Sequence, residues 1–583
     1  MIMETQNETV ILEIESTTLE CNKALLINNS DYFRAMLTGN FKESAQEIIK
    51  IQEVDLKSFK TILSLLQDDR YIVDDKELHL ILQVACMLQF SSIKQLCETR
   101  IMEILNPSIC LPVWKTTESL DISPHWLKAK SMALEEFTNI SDSQISELGL
   151  DDVCKYLGNL YLNVKCEFAV FQKAMNWWYE NQEHFKGQKV DTILRLLNCI
   201  DFKTIQDNEV KEMQTYPDIA NNEDIISILN CLVVLRANAN VETFSEKHIN
   251  FAKHFLNCES RKKPLIPCIL FKGETVYANT CRDICQQMIN VVVADTVSKD
   301  PETVFQIDMD KMRNLVGYKL TSYKEFVFLY GGEYFMGIGN WNFNFWAYDT
   351  FKGKWERKSK LPQERRHFES AIVDHCIYLI GGIGKFRVVQ ENMVWYDFIA
   401  DKWSPVIPLP STNNRNFQCC SFNGKLCMVY SVEKRAYLYD KEKTNWTQIE
   451  IQIDNEIVPP FRVVSDDNYL YILRSDSTGN YCVRLKLEKN KFVPTKQIYL
   501  NSIKAYSFEV VLCNDTIYSF YIDDGFKDFQ YTFESLNLKT EAVECIFQNN
   551  RKPFHLTKDN VLFSVNYYSF VKEDNFINNQ NVF

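Results

Sequence analysis

The 583-residue chain has no apolar run approaching the roughly 18 residues that span a bilayer. Its first residues, MIMETQNETV, lack the basic segment and apolar stretch of a secretion signal. A membrane role and secretion are therefore not expected, and the cytoplasm, with the nucleus second, is the expected compartment. None of G-x-x-x-x-G-K-[ST], H-E-x-x-H or G-x-S-x-G occurs, nor a G-x-G-x-x-G in the right context, so the chemistry those motifs serve is not expected. The nineteen cysteines follow no framework spacing and are expected to be reduced. The tightest groups, Cys281-x-x-x-Cys285 and Cys419-Cys420, lack a partner pair at zinc-finger spacing; no basic cluster clearly lowers a thiol pKa, which leaves thiol sensing by a cysteine as a minor alternative. Only eight histidines are spread along the chain, which offers no histidine-rich copper site. A net charge of -13 excludes a general grip on nucleic acid, which needs a basic face. No cofactor, metal or catalytic residue is expected.

What is present begins with a repeat. FVFLYGG followed by FWAYDTFKGKW, IYLIGG followed by MVWYDFIADKW, and LCMVYS followed by AYLYDKEKTNW share one pattern. Each has an apolar strand, a turn, a second strand ending in Tyr, and a Trp seven residues later. Tyr348, Tyr396 and Tyr439 pair in this way with Trp355, Trp403 and Trp446, and the first two copies carry Gly331-Gly332 and Gly381-Gly382. Spacings of 48 and 43 residues between the tyrosines fall in the range of propeller blades. Weaker copies flank these three, with Ile307, Leu485 and Leu536 at the Tyr position and Asn314, Phe492 and Val543 seven residues on. Six copies fit. Asp or Asn after most of these positions suits a hairpin turn. The glycine pair lets the backbone bend where a β-carbon would obstruct. Blades bury their faces only against neighbours, so the ring must close, and a strand within Asn560–Phe570 is expected to complete the first blade.

At this length about three domains are expected. Glu8–Ser16 and Glu47–Val54 read as strands. Helical spacing marks CNKALLINNSDYFRAMLTG, LKSFKTILSLLQ, Glu77–Phe90 and Ser91–Leu105, the last with Ser as its expected N-cap. Together they predict a compact α+β domain. From Pro107 to about Leu256 strand signals vanish, and a run of helix pairs predicts an all-α unit. Trp114, Trp126, Trp177 and Trp178 are expected in its core. NCESRKKP (257–264) shifts to polar and basic composition and reads as a linker.

SDYFRAMLTGNFKES and LILQVACMLQFSSIKQLCETRIMEIL resemble a BTB domain over residues 8–105. LYLNVKCEFAVFQKAMNWWYEN and LLNCIDFKTI are similar to a BACK domain, placed at 106–256. The repeats resemble kelch repeats, placed at 265–575. That order is the one of the kelch-like family, and it implies a multidomain protein with an α+β BTB domain, an all-α BACK domain and an all-β six-bladed kelch propeller. Two departures stand out. Thr9 and Asn22 occupy positions where the family places an Asp and a His. Only about seven residues precede the first strand, too few for the exchanged helix through which a homodimer would form.

The resemblance implies a non-catalytic substrate adaptor of a cullin-3 ubiquitin ligase. Phe41, Lys42 and Glu43 match the family's cullin-contacting hydrophobic-x-Glu triplet, and Ser108–Asp142 matches the helix pair that also lies along the cullin. An exposed Phe beside a carboxylate supplies an anchor and an orienting charge; the plainer reading has Phe41 partly buried and Glu43 merely solvated. Arg365 and Arg366, in LPQERRHFES, and Arg415, in LPSTNNRNF, lie on loops entering blades, where the family often turns arginines toward a peptide substrate. A solvated loop charge is the alternative. A kelch scaffold binding actin without ubiquitin transfer is the second functional reading. A copper radical oxidase built on such a propeller is not expected.

Overall fold

The computed structural model describes residues 8–566 apart from 40, 42–45, 69–70, 259, 262–264, 273–287, 295–300, 309–314, 412–415, 454–456, 458, 477, 504–506, 526–527 and 550–561. It divides into a first unit ending at Pro264 and a second running from Leu265 to Phe570.

The first unit opens with a three-stranded sheet. Thr9–Ile14 pairs antiparallel with Thr17–Asn22 and parallel with Ile48–Ile51. The strand Thr17–Asn22 was not expected: Glu15 and Ser16 turn the hairpin with positive φ, without the Asn-Gly or Asp-Gly that announces such a turn. Thr9 and Asn22 are cross-strand partners, and Asn22 also caps the next helix by accepting from the Leu25 N–H at 2.9 Å. The predicted single helical stretch is two helices, Lys23–Asn29 and Asp31–Thr38, broken at Ser30. The buried Ser30 hydroxyl accepts from the Phe33 N–H and donates to the Leu88 carbonyl at 2.6 Å. Leu56–Gln67, Leu78–Met87 and Ser91–Ile104 complete this part. Ser91 begins the last helix rather than capping it, since Phe90 holds the cap position.

Helices Cys110–Ser119, His125–Glu135, Glu167–Asn181, Lys189–Leu197, Glu223–Arg236 and Glu246–Leu256 dominate the rest of the unit. Trp114, Trp177 and Trp178 are buried, whereas Trp126 is only half-buried. The Trp177 and Trp178 indoles donate to the Leu148 carbonyl and the Asp218 carboxylate, as buried indoles should. The supposed linker is tied down. Arg261 forms a bidentate ion pair with buried Glu167 and donates to the Leu157, Asn159 and Cys199 carbonyls at 2.8–3.0 Å. Its own N–H reaches Asp201.

The second unit is a propeller of six four-stranded blades, two of which share a continuous sheet. In chain order, blade two comprises Leu315–Tyr323, Phe326–Tyr334, Phe345–Asp349 and Lys354–Lys358. Blade three comprises Glu369–Val373, Cys376–Ile380, Asn392–Asp397 and Lys402–Trp403. Blades four, five and six begin at Phe417, Phe461 and Ser507. Blade one is closed by the chain's far end, as the sequence predicts: Leu562–Asn566 pairs antiparallel with Leu265–Ile269. The apolar clusters lie between blades. Phe328, Tyr330 and Phe345 of blade two, for example, pack with Phe368, Leu379 and Tyr396 of blade three.

The seven-residue spacing has a direct meaning in the register. Tyr348–Trp355, Tyr396–Trp403, Tyr439–Trp446 and Leu536–Val543 are cross-strand partners. The three Tyr–Trp ring pairs lie 4.9–5.3 Å apart, worth about 0.5–1.5 kcal/mol each beyond their burial. Asp349, Asp397, Asp440 and Asn537 each accept from backbone N–H groups of the turn that follows. Blade five departs: a bulge after Arg484 pairs Leu485 with Pro494, and Phe492 with Leu487.

Candidate partner-binding surfaces

Phe41 lies just beyond the helix Asp31–Thr38 and is 57% exposed. Its two companions in the triplet, Lys42 and Glu43, lie outside the described residues.

The arginines at the entry to blade three are elsewhere than expected. Arg365 is 1% and Arg366 6% exposed, so neither is a loop charge offered to a partner. Arg365 donates to the Leu379 and Gly381 carbonyls at 3.0 and 3.1 Å and to Gln363 and Asn392 at 3.1 and 2.9 Å. Burial lowers its pKa to about 10, still far above neutrality. Arg366 pairs with buried Glu333 at 2.7 Å, and Glu333 in turn accepts from the Gly339 N–H at 2.6 Å. Both guanidiniums thus bind within the protein, through the terminal nitrogens, and hold the loops together. A polar loop sequence gave no sign of this, because the carbonyls that satisfy Arg365 come from the glycine-bearing strand end of the same blade. Arg415 lies outside the described residues.

The glycine pairs explain those carbonyls. Gly381 and Gly382 have φ of +63° and +90°, and Gly331 and Gly332 +70° and +90°. A β-carbon on Gly382 would sit 2.7 Å from Phe368 Cβ and 2.8 Å from the Arg366 carbonyl. Only glycine permits both the conformation and the approach. The chain leaves the sheet in a loop between the second and third strands, directly past the pair in blade three and after Tyr334 in blade two, where the pair lies inside the strand.

Those loops carry the surface that sequence reasoning missed. Phe335, Met336 and Ile338 stand out from blade two, Phe386 and Val388 from blade three, and Val432 from blade four. Phe386 is 85% and Ile338 72% exposed. Phe335 and Phe386 both have left-handed backbones, with φ of +57° and +56°, a conformation costly for a bulky residue and concentrated at functional sites. Exposed apolar residues thus stand on the corresponding loops of three successive blades. The available signal was the run of apolar residues directly after each glycine pair, EYFMGIG and GKFRVV.

Around the ring the first strands of the blades are linked by charge. Lys319 pairs with Glu369 at 3.3 Å, Gln418 donates to Glu369 at 3.0 Å, and Arg462 grips Glu509 in a bidentate contact of 2.8 and 3.2 Å.

The fold is thus an α+β domain, a helical unit and a propeller. Residues 3–105 match the BTB/POZ domain, and residues 110–215 match the "BTB And C-terminal Kelch" domain. Similar proteins include human kelch-like protein 38, 21% identical over 82% of this chain and 79% of that protein. Kelch-like protein 40 of Xenopus laevis is 23% identical over 75% and 74%, and human kelch-like protein 6 is 21% identical over 73% and 66%. The chain carries a BTB and a BACK domain followed by a kelch-type propeller, the architecture of the kelch-like proteins it is similar to, a family generally known as cullin-3 substrate adaptors.

Proposed function

We propose that the chain is the substrate-recognition adaptor of a cullin-3 RING ubiquitin ligase, with no chemistry of its own. The BTB domain and the helices within Ser108–Asp142 hold the cullin, through Phe41 with Lys42 and Glu43. The propeller holds a protein substrate in the cytoplasm or nucleus. The observation that supports the cullin side is the exposed Phe41 beyond its helix, an anchor of the kind that dominates interface energies. On the substrate side the support is the apolar loop set of blades two to four, which takes the place of Arg365 and Arg366; Arg415 remains a candidate beside it. Pull-down of cullin-3 by the intact chain, lost in a Phe41→Ala, Glu43→Lys double variant, is the expected result. Absence of cullin-3 from both pull-downs, with filament co-sedimentation untouched by the double variant, favours an actin-binding scaffold instead.

A further inference from the structure

Blade three carries a second feature on the rim opposite its glycine pair. The hairpin joining its first two strands turns through Asp374 and His375, and Cys376 opens the second strand. Asp397 ends the third strand directly across from Cys376. His375 Nε2 lies 3.3 Å from Asp397 Oδ2, and one donor atom from each of His375, Cys376 and Asp397 falls within 4.8 Å of the others. We propose that His375, Cys376 and Asp397 form a zinc-type divalent metal site.

The donor set suits that ion. Imidazole nitrogen, thiolate sulfur and carboxylate oxygen are the three ligand types zinc takes, at about 2.0–2.3 Å in a tetrahedron. Two light donors on such a centre stand about 3.3 Å apart, the separation already present between His375 and Asp397. The sulfur has only to close in, and a fourth position is left for water or another side chain. Neutral imidazole with two anionic donors balances a divalent charge.

The surroundings prepare these donors. Asp397 uses Oδ1 to accept from the Ile399 and Ala400 N–H groups at 3.0 and 2.9 Å, which leaves Oδ2 turned toward the site, an orienting shell of the kind that metal carboxylates use. The His375 ring rests edge-on against Phe398, centroids 6.5 Å apart, and its partial exposure gives an ion a way in. Cys376 is buried, which raises its thiol pKa, with the nearby Lys441 ammonium acting against that rise.

Lys441, from the next blade, defines what the metal must displace. Its Nζ lies 3.0 Å from Cys376 Sγ and 4.2 Å from the centroid of the Trp395 ring. In the metal-free protein this cation occupies the sulfur's free side. Binding therefore exchanges an ammonium for a divalent ion, and the thiol proton leaves to solvent as the metal–sulfur bond forms.

The test is metal uptake by the reduced full-length chain, using zinc by equilibrium dialysis and cobalt by absorption spectroscopy. One ion per chain is expected, with a near-ultraviolet sulfur-to-cobalt charge-transfer band. Asp397→Asn keeps the turn acceptor and removes the anionic donor; it should weaken uptake at least about tenfold, the lower bound for losing even an outer partner of a metal ligand. Cys376→Ala should abolish the band, and Lys441→Met should tighten binding by removing the competitor. Matching thermal melts of the metal-free variants and parent show that these changes are not loss of fold. No uptake by the parent chain, or a cobalt complex indifferent to Cys376→Ala, overturns the site.

Discussion

Blades three and five are built from the same four-strand plan and part company at one point. In blade three the second strand, Cys376–Ile380, runs into Gly381-Gly382 and the chain departs into a loop that displays Phe386 and Val388. In blade five the corresponding positions are Arg474 and Ser475, still inside the strand Tyr469–Asp476, and the hairpin runs on to pair Asp476 with Gly479. The long hairpin of blade six, from Thr516–Gly525 to Asp528–Asn537, does the same. In blade three, backbone hydrogen bonds are given up to a loop and the carbonyls of Leu379 and Gly381 are taken by Arg365. In blades five and six the sheet itself satisfies the backbone. The glycine pair thus shapes the exit of blade three, while blade four exposes Val432 without such a pair.

The comparison breaks hardest at Gly382. Gly382→Val places a branched residue at φ +90° against Phe368 and the Arg366 carbonyl, and should cost about 3 kcal/mol or more. Ser475→Val, at the same position of blade five, should cost under about 1 kcal/mol; urea unfolding of both variants checks the contrast. Arg365→Met removes four hydrogen bonds from a buried guanidinium and should cost about 2–4 kcal/mol. Arg474→Met should cost less, because that guanidinium reaches Gln497 only in a long contact of 3.4 Å. Asp397→Ala leaves two turn N–H groups without their acceptor, a loss of about 1 kcal/mol by thermal melting, whereas Lys486→Ala at the matching place in blade five should be near neutral. Phe335→Ser with Phe386→Ser should leave stability within about 0.5 kcal/mol while abolishing capture of the substrate.

The sequence made the hairpins legible because their partners are seven residues apart, and local pairs announce themselves in periodicity. It also placed the closing strand, since Leu562–Asn566 is an apolar run in an otherwise polar tail. The failures share a cause. Arg365 read as a loop charge because nothing local reveals four acceptors gathered around it. Arg261 read as part of a loose linker because Glu167 lies 94 residues away. Cys376 drew no attention in the sequence, because Lys441 reaches it across a blade boundary, 65 residues away. The strand Thr17–Asn22 was hidden for another reason: its turn uses Glu and Ser in conformations that those residues rarely signal.

In the proposed function one chain joins a cullin at its first domain to a substrate on the loops of blades two to four. It is tested most directly by affinity capture from cells with the ligase blocked, comparing the parent chain with the Phe335→Ser, Phe386→Ser double variant. The account predicts equal recovery of cullin-3 by both and loss from the variant of the proteins trapped by the parent. Equal recovery of those trapped proteins by the variant, or recovery of no cullin-3 by either, contradicts it.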